Sequence, residues 1–129
     1  MFWRQIMSVS QEMSSDGKKI HINISGRFDY KVSQEFRDTY RQVPGQEGVA
    51  YYVNLSDASY MDSSALGMLL LLREHAKCRG GTVFIERPSE QVDSILKVAN
   101  FEQLFTINYS SSVSIDTEAG MNAGVGAGA

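Results

Sequence analysis

The chain has 129 residues, of which 43% are hydrophobic, and this content suits one modest core rather than two. The formal net charge of −3 and the pI of about 5.3 provide no basic field for nucleic acid, so no nucleic-acid partner is expected. The single cysteine, Cys78, excludes an internal disulfide and fits a reducing compartment. The longest apolar run, Ala65 to Leu72, is far shorter than the roughly 20 residues that cross a membrane. Composition therefore predicts a cytoplasmic protein without membrane insertion.

The N-terminal segments have the pattern of a β-hairpin. Residues Trp3 to Val9 mix apolar and polar positions, and Lys18 to Ser25 alternate cleanly between the two, as in a half-buried strand. The turn-forming residues Ser14 to Gly17 lie between these segments. Gly26 is expected to end the second strand.

A helix and a third strand follow the hairpin. Apolar side chains recur at spacings of three and four from Lys31 to Val43, which predicts a helix that ends before Pro44. The β-branched and aromatic segment Val49 to Leu55 predicts a strand buried on both faces. Residues Ser56 to Asp62 are rich in serine and aspartate and are expected to form a loop.

The second half of the chain repeats the alternation of helix and strand. The pattern predicts a long helix over Ser63 to Arg79 and a strand over Thr82 to Glu86. A further helix is expected to follow its N-cap, Ser89, and to run through Val98 or Ala99. Phe101 to Ile107 is expected to form a short final strand. The order β-β-α-β-α-β-α-β predicts an α/β fold, with a mixed sheet of about four to five strands and helices packed on it.

The composition changes near the C-terminus. Residues 110–129 are rich in serine, alanine and glycine, with four glycines in the last ten positions. So few large apolar side chains cannot form a core. We therefore expect one domain over residues 1–109 and a disordered tail over 110–129.

The start of the long helix carries the residues of greatest chemical interest. Asp62 and Ser63 precede an apolar helix, where their oxygens are suited to cap the free N–H groups of the first turn. On spacing alone, this structural role explains both residues. A serine at the exposed end of a helix is also open to phosphorylation, which adds a charge of about −1.5 to −2.

Four motifs resemble one known family. The segment Tyr60 to Gly67 (YMDSSALG) is similar to the phosphorylation motif of STAS-domain anti-sigma factor antagonists. Gly26 to Asp29, Gly80 to Val83 and Phe101 to Phe105 also resemble that family's motifs, in the same order. The match covers residues 3–108 and implies the STAS fold.

The resemblance implies a partner-switching cycle. In this family the first serine after the aspartate, Ser63 here, is phosphorylated by a serine kinase with a histidine-kinase-like ATPase fold that also serves as the anti-sigma factor; Ser64 is the second candidate. The unphosphorylated protein would bind this kinase, and a metal-dependent serine phosphatase would reset it. The family usually has glycine where this chain has Ala65.

The same resemblance implies a partner surface around the serines. Asp29 could cap the helix near Lys31, but the family places this loop beside the phosphoserine. Asp62 could either cap the helix or orient Ser63 for the kinase. Met68 and Leu72 form a candidate exposed stripe on the apolar helix. The predicted partner-binding residues are Asp29, Asp62, Ser63, Ser64, Ala65 and Met68.

The sequence offers little support for an enzyme. His21 and His75 stand in no metal-binding or catalytic pattern, and His21 is expected to face solvent. Cys78 is expected to be a small, partly buried residue. We predict no metal site, no cofactor and no catalytic residue. The alternatives are a constitutive STAS subunit, for example of a lipid transporter, and a small hydrolase that uses Ser63 as its nucleophile.

Overall fold

The computed structural model describes residues 9–41 and 47–109, which form an α/β unit with one sheet and three helices. The order of strands and helices is the predicted one, with a short 3₁₀ helix before the last strand. The elements are β1 (Val9–Met13), β2 (Lys19–Phe28), α1 (Tyr30–Arg41), β3 (Ala50–Met61), α2 (Ser63–Lys77), β4 (Thr82–Glu86), α3 (Glu90–Val98), the 3₁₀ helix (Phe101–Gln103) and β5 (Thr106–Asn108).

The five strands lie in the spatial order β1-β2-β3-β4-β5. β1 and β2 are antiparallel and joined by the expected turn, where Gly17 has a φ of 72°. The other neighbouring strands are parallel. Parallel neighbours need crossover connections, and α1, α2 and α3 provide them. The mixed sheet of the predicted α/β fold is therefore confirmed.

The core lies between the helices and one face of the sheet. Ile20, Ile22 and Ile24 are buried along β2, as their alternation predicts, and Tyr51 and Val53 continue the same face on β3. No helix in the described ranges is long and apolar enough to span a membrane. The buried helix residues are Val32, Phe36 and Tyr40 in α1, Ala65, Leu69, Leu72 and Ala76 in α2, and Val92 and Leu96 in α3.

The other face of the sheet carries polar and aromatic side chains. The rings of His21, Tyr52 and Phe84 stack across three strands, with centroids 4.8 Å and 5.0 Å apart. His21 is exposed, as predicted. The prediction that residues 49–55 are buried on both faces is wrong, because β3 alternates buried and half-buried positions there.

The expected loop at 56–62 is mostly strand. β2 continues through Gly26 to Phe28, and β3 continues to Met61. From Asn23 to Arg27 β2 advances by four residues while β3 advances by six, because the register shifts twice. These β-bulges interrupt the alternation on which sequence reasoning depends, so the predicted end of β2 at Gly26 and the predicted loop are both corrected.

The last strand is shorter than predicted. Instead of a strand over residues 101–107, the chain makes a 3₁₀ turn first, and β5 covers only Thr106–Asn108. Phe101 and Phe105 are both buried, and their rings stack 5.3 Å apart. A strand that buried Phe101 and Phe105 would also bury Gln103, which is exposed, so the burial pattern suits a helical turn.

Several predicted boundaries differ or fall outside the described residues. β1 begins at Val9, and the rest of the predicted first strand precedes the described residues. The predicted helix end at Val43 and the predicted tail at 110–129 also lie outside them. α2 ends at Lys77 rather than Arg79. Cys78 is its C-cap and is exposed, not partly buried as predicted.

Candidate functional site

The C-terminal ends of β2 and β3 bring two loops together at one edge of the sheet. Phe28 and Met61 are paired at the ends of these parallel strands. The next residues are Asp29 and Asp62, which directly precede α1 and α2. The backbone N–H of Asp62 donates to the carbonyl of Phe28 at 3.3 Å. The strand pairing therefore fixes the relative position of the two helix starts.

Asp62 connects these helix starts through its carboxylate. Its Oδ1 accepts a hydrogen bond from the N–H of Ala65 at 3.0 Å, which makes it the N-cap of α2. Its Oδ2 accepts from the N–H of Tyr30, the first residue of α1, at 3.2 Å. Burial raises the pKa of Asp62, but hydrogen bonds from the Ser64 hydroxyl and the Ala65 N–H outweigh burial and hold this pKa below its usual value.

The two serines have different environments. The Ser64 hydroxyl is partly buried, donates to Asp62 Oδ1 at 2.6 Å and lies 3.4 Å from Ser33 Oγ. Ser63 is exposed, and no hydrogen bond within the described ranges engages its hydroxyl. Ser64 is therefore part of the structural network, whereas the oxygen of Ser63 faces solvent.

Asp29 has the capping role that its position predicts. Its Oδ1 accepts from the N–H of Lys31 at 3.1 Å, and its carbonyl accepts from the N–H groups of Val32 and Ser33. The Ser33 hydroxyl also donates to this carbonyl, at 3.1 Å. Ser33 thus contacts both Asp29 and Ser64, so one network spans the two loops.

Arg27 and Tyr60 form a polar and aromatic surface that sequence reasoning missed. The guanidinium of Arg27 lies 4.3 Å from the centroid of the Tyr60 ring, and its Nε is 3.7 Å from Asp29 Oδ2. The two residues are paired across β2 and β3 just beyond the second register shift. The sequence alone does not show this register shift, so it could not predict that Arg27 and Tyr60 are neighbours.

The structure corrects the predicted partner surface on α2. Ala65 is 0% exposed and packs in the core, so its side chain is not available to a partner. Leu72 is also fully buried and Met68 is half-buried, so the predicted exposed stripe is wrong. Leu70 and Leu71 are the exposed leucines of this helix. From Met68 to Arg73 only one of six residues is polar. The sequence pattern therefore does not show which side of α2 faces the core.

An apolar groove lies between α2 and α3. Leu66, Ile95, Val98 and Ala99 line it, and Val98 is 85% exposed. Leu66 follows Ser63 by three residues, which places both on the same side of α2. Ser63 therefore lies about one helical turn before the groove. The signal in the sequence was Val98, an apolar residue that does not share a helical face with Val92 and Leu96.

The described residues do not assemble a hydrolytic site. His75 lies twelve residues after Ser63 on α2, about 18 Å along the helix axis. His21 lies on the sheet face opposite the helices. Neither imidazole can act as a base for Ser63 in this arrangement. Within residues 9–41 and 47–109, no cluster of three or more His, Cys, Asp or Glu side chains could hold a metal.

Comparison with known proteins agrees with this fold. A family model described as "Mlab, STAS domain" matches residues 12–107. A STAS-domain containing protein of Pseudomonas aeruginosa (strain UCBPP-PA14) is 45% identical over 102 residues, which cover 79% of this chain and 100% of that protein. The chain therefore belongs to the STAS-domain family, and the resemblance found in its motifs is confirmed.

More distant relatives include anti-sigma factor antagonists. The anti-sigma-B factor antagonist of Bacillus subtilis (strain 168) is 26% identical over 106 residues, which cover 81% of this chain and 95% of the relative. The unphosphorylated form of the anti-sigma factor antagonist SpoIIAA superposes with a TM-score of 0.59 at 19% identity, covering 77% of this chain and 86% of that one. A Thermotoga maritima protein assigned to the same class gives a TM-score of 0.65 at 16% identity, covering 79% and 86%. These structures share the fold.

Proposed function

We propose that this chain is a cytoplasmic anti-sigma factor antagonist that acts by partner switching, with Ser63 as its phosphorylation site. The observation that carries the proposal is the contrast between two adjacent serines. Ser63 is exposed and unengaged at the start of α2, while Ser64 is held by Asp62. A kinase can reach the first hydroxyl without disturbing the fold, whereas the second would have to leave its hydrogen bonds.

Because of the position of Ser63, its phosphorylation is expected to affect partner binding without affecting folding. A phosphate in the first turn of a helix lies near free N–H groups and the positive end of the helix dipole, so the folded protein tolerates it. A partner packed on Ser63 would have to accommodate a bulky anion and remove its water. Phosphorylation therefore lowers affinity for the partner and leaves the domain intact.

The proposed partner surface combines polar and apolar parts. The two loops at this edge of the sheet carry Asp29 and Asp62, and Tyr60, which is 38% exposed, lies near the end of β3. The groove that begins at Leu66 extends this surface with apolar side chains. A surface with a polar rim and an apolar centre is typical of protein interfaces. The proposed partners are a serine-kinase anti-sigma factor with a histidine-kinase-like ATPase fold and a metal-dependent serine phosphatase.

Phosphate-affinity electrophoresis of three variants tests the site. The wild-type chain, Ser63→Ala and Ser64→Ala are compared from cells with and without the cognate kinase. We expect a shifted band in wild type and Ser64→Ala, and none in Ser63→Ala. Persistence of the band in Ser63→Ala contradicts the site assignment.

Pulldown of the kinase tests the switch itself. Ser63→Ala should retain the kinase, and Ser63→Asp should lose it. Ser15→Asp is the matched control, because it adds the same charge at an exposed position in the turn between β1 and β2, outside the proposed partner surface. Equal retention of the kinase by Ser63→Ala and Ser63→Asp would instead support the alternative, a constitutive STAS interaction subunit without a phospho-switch.

A further inference from the structure

A cavity lies at the end of α2 opposite to Ser63. It has a volume of about 290 Å³ and lies where the last turns of α1 and α2 meet. Tyr40, Arg41, His75 and Arg79 are among the residues that line it. The volume is near the lower end of the range for small-molecule sites, so it suits a small metabolite rather than a large cofactor.

The wall of the cavity has a positive electrostatic character. Burial lowers the pKa of His75, and the guanidinium groups of Arg79 and Arg41 lower it further. Glu74 also lines the cavity, but its side chain is 63% exposed and its carboxylate lies 3.6 Å from the guanidinium of Arg73. The negative charge of Glu74 is therefore largely screened and partly paired, and the two guanidinium groups dominate.

A buried hydroxyl provides a second, independent observation. Tyr40 is only 3% exposed, and its ring packs 4.9 Å from the ring of His75. Within the described residues its hydroxyl has no hydrogen-bond partner. Burial raises the pKa of Tyr40, so the hydroxyl stays protonated and can donate. A buried donor without an acceptor costs free energy, and an acceptor in the cavity would remove that cost.

Helix ends alone do not account for this arrangement. Basic residues in the last turn of a helix interact favourably with the negative end of its dipole, which explains the position of Arg41 in α1. The dipole explains neither the cavity nor the buried hydroxyl. The negative ends of the helix dipoles also disfavour an anion here. The general positive field of the basic residues is therefore not sufficient, and a bound anion needs direct contacts with both guanidinium groups.

We propose that this cavity binds the phosphate or carboxylate group of a small metabolite. Arg41 and Arg79 provide the paired donors that suit a planar or tetrahedral oxyanion, and Tyr40 donates a third hydrogen bond. Leu71, which is 49% exposed, offers an apolar wall for the body of the ligand. This inference is independent of the proposed switch, since the site lies at the other end of the domain and uses none of the same residues.

Nuclear magnetic resonance of the full chain tests the site with two probes, inorganic phosphate and propionate. The chain has two histidines, and His21 on the far sheet face serves as an internal reference. With sodium chloride keeping ionic strength constant, we expect a saturable shift of the His75 imidazole signal and none at His21. The probe that saturates at the lower concentration identifies the ligand as a phosphate or a carboxylate.

Variants show whether the shift comes from the cavity. Arg79→Gln and Arg41→Gln should each weaken binding by about tenfold, as expected for loss of one charged donor group. Lys77→Gln removes the same charge from an exposed position outside the cavity wall and should bind as wild type does. Equal shifts at both histidines, absence of saturation with both probes, or equal weakening in Lys77→Gln would overturn the proposal. Thermal unfolding confirms that each variant is folded.

Discussion

The two halves of the β2–β3 pair differ in regularity. From Lys19 to Asn23, β2 pairs residue by residue with Ala50 to Asn54, and its isoleucines are fully buried. From Ser25 to Phe28 the register shifts, and this half ends in the two loops that carry Asp29 and Asp62. Both halves contribute buried side chains, among them Phe28 and Met61 in the irregular half, but the irregular half also ends in the polar side chains of the candidate site. The β2–β3 pair thus combines core packing along its length with the candidate site at one end.

The largest effect is expected in the regular half. Ile22→Ala removes a fully buried side chain and leaves a cavity, which should lower the free energy of unfolding by about 3 kcal/mol. Urea denaturation measures this loss. His21→Ala, on the open face of the same strand, is the control and should cost less than half as much. Equal losses would mean that the open face contributes as much as the core.

A smaller effect is expected at the helix start in the irregular half. Asp62→Ala removes the N-cap of α2 and the hydrogen bond to Tyr30, and should cost about 2 kcal/mol at neutral pH. Asp57→Ala, an exposed change on the same stretch of β3, should cost under about 0.5 kcal/mol. If the two losses were equal, Asp62 would have no special role in joining the loops.

The contribution of Asp62 should also depend on pH. Because folding lowers its pKa below the usual 3.8, the ionised carboxylate stabilises the folded state fully at pH values above that number. This stability is lost as the pH falls through the folded-state pKa. Urea unfolding of wild type and Asp62→Asn should therefore show a difference that shrinks below about pH 4. A difference that stays constant to pH 2.5 would contradict this assignment.

The smallest effects distinguish the two serines. Ser64→Ala removes the hydroxyl that donates to Asp62 and should cost about 1 kcal/mol. Ser63→Ala should change stability by less than about 0.5 kcal/mol, because its hydroxyl is exposed. Thermal unfolding of both variants and the wild type checks this order. A larger loss for Ser63→Ala would mean that its hydroxyl stabilises the fold and would weaken its assignment as a free phosphoacceptor.

The sequence predicted the regular parts of the molecule well. The alternation from Ile20 to Ile24 and the apolar spacing that includes Val32, Phe36 and Tyr40 identified a strand and a helix with their buried faces. Capping was one of the two roles predicted for Asp62, and the structure shows that role. Local pattern was sufficient wherever one face of an element is buried without interruption.

The sequence could not predict features that depend on tertiary register. The extension of β3 to Met61 rests on two bulges against β2, and the contact of Arg27 with Tyr60 follows from them. Which leucines of α2 face the core depends on how this helix packs against α1, β3 and β4. When a helix is apolar on most sides, rotating it by one residue changes which side chains are exposed. The pattern of apolar and polar residues in the sequence fits either orientation equally well.

Both ends of α2 are tightly attached to the sheet. At its start, the N–H of Asp62 donates to the carbonyl of Phe28. Just beyond its end, Gly81 lies so close to Val49, the residue before β3, that a Cβ there would clash with the Val49 carbonyl oxygen. A helix attached at both ends cannot detach alone, so the amide hydrogens of Leu69 and Leu72 should exchange with solvent only when the whole domain unfolds. Phosphorylation of Ser63 in the first turn would then change the charge on the surface of α2. It would leave the hydrogen-exchange rates of these two amides unchanged.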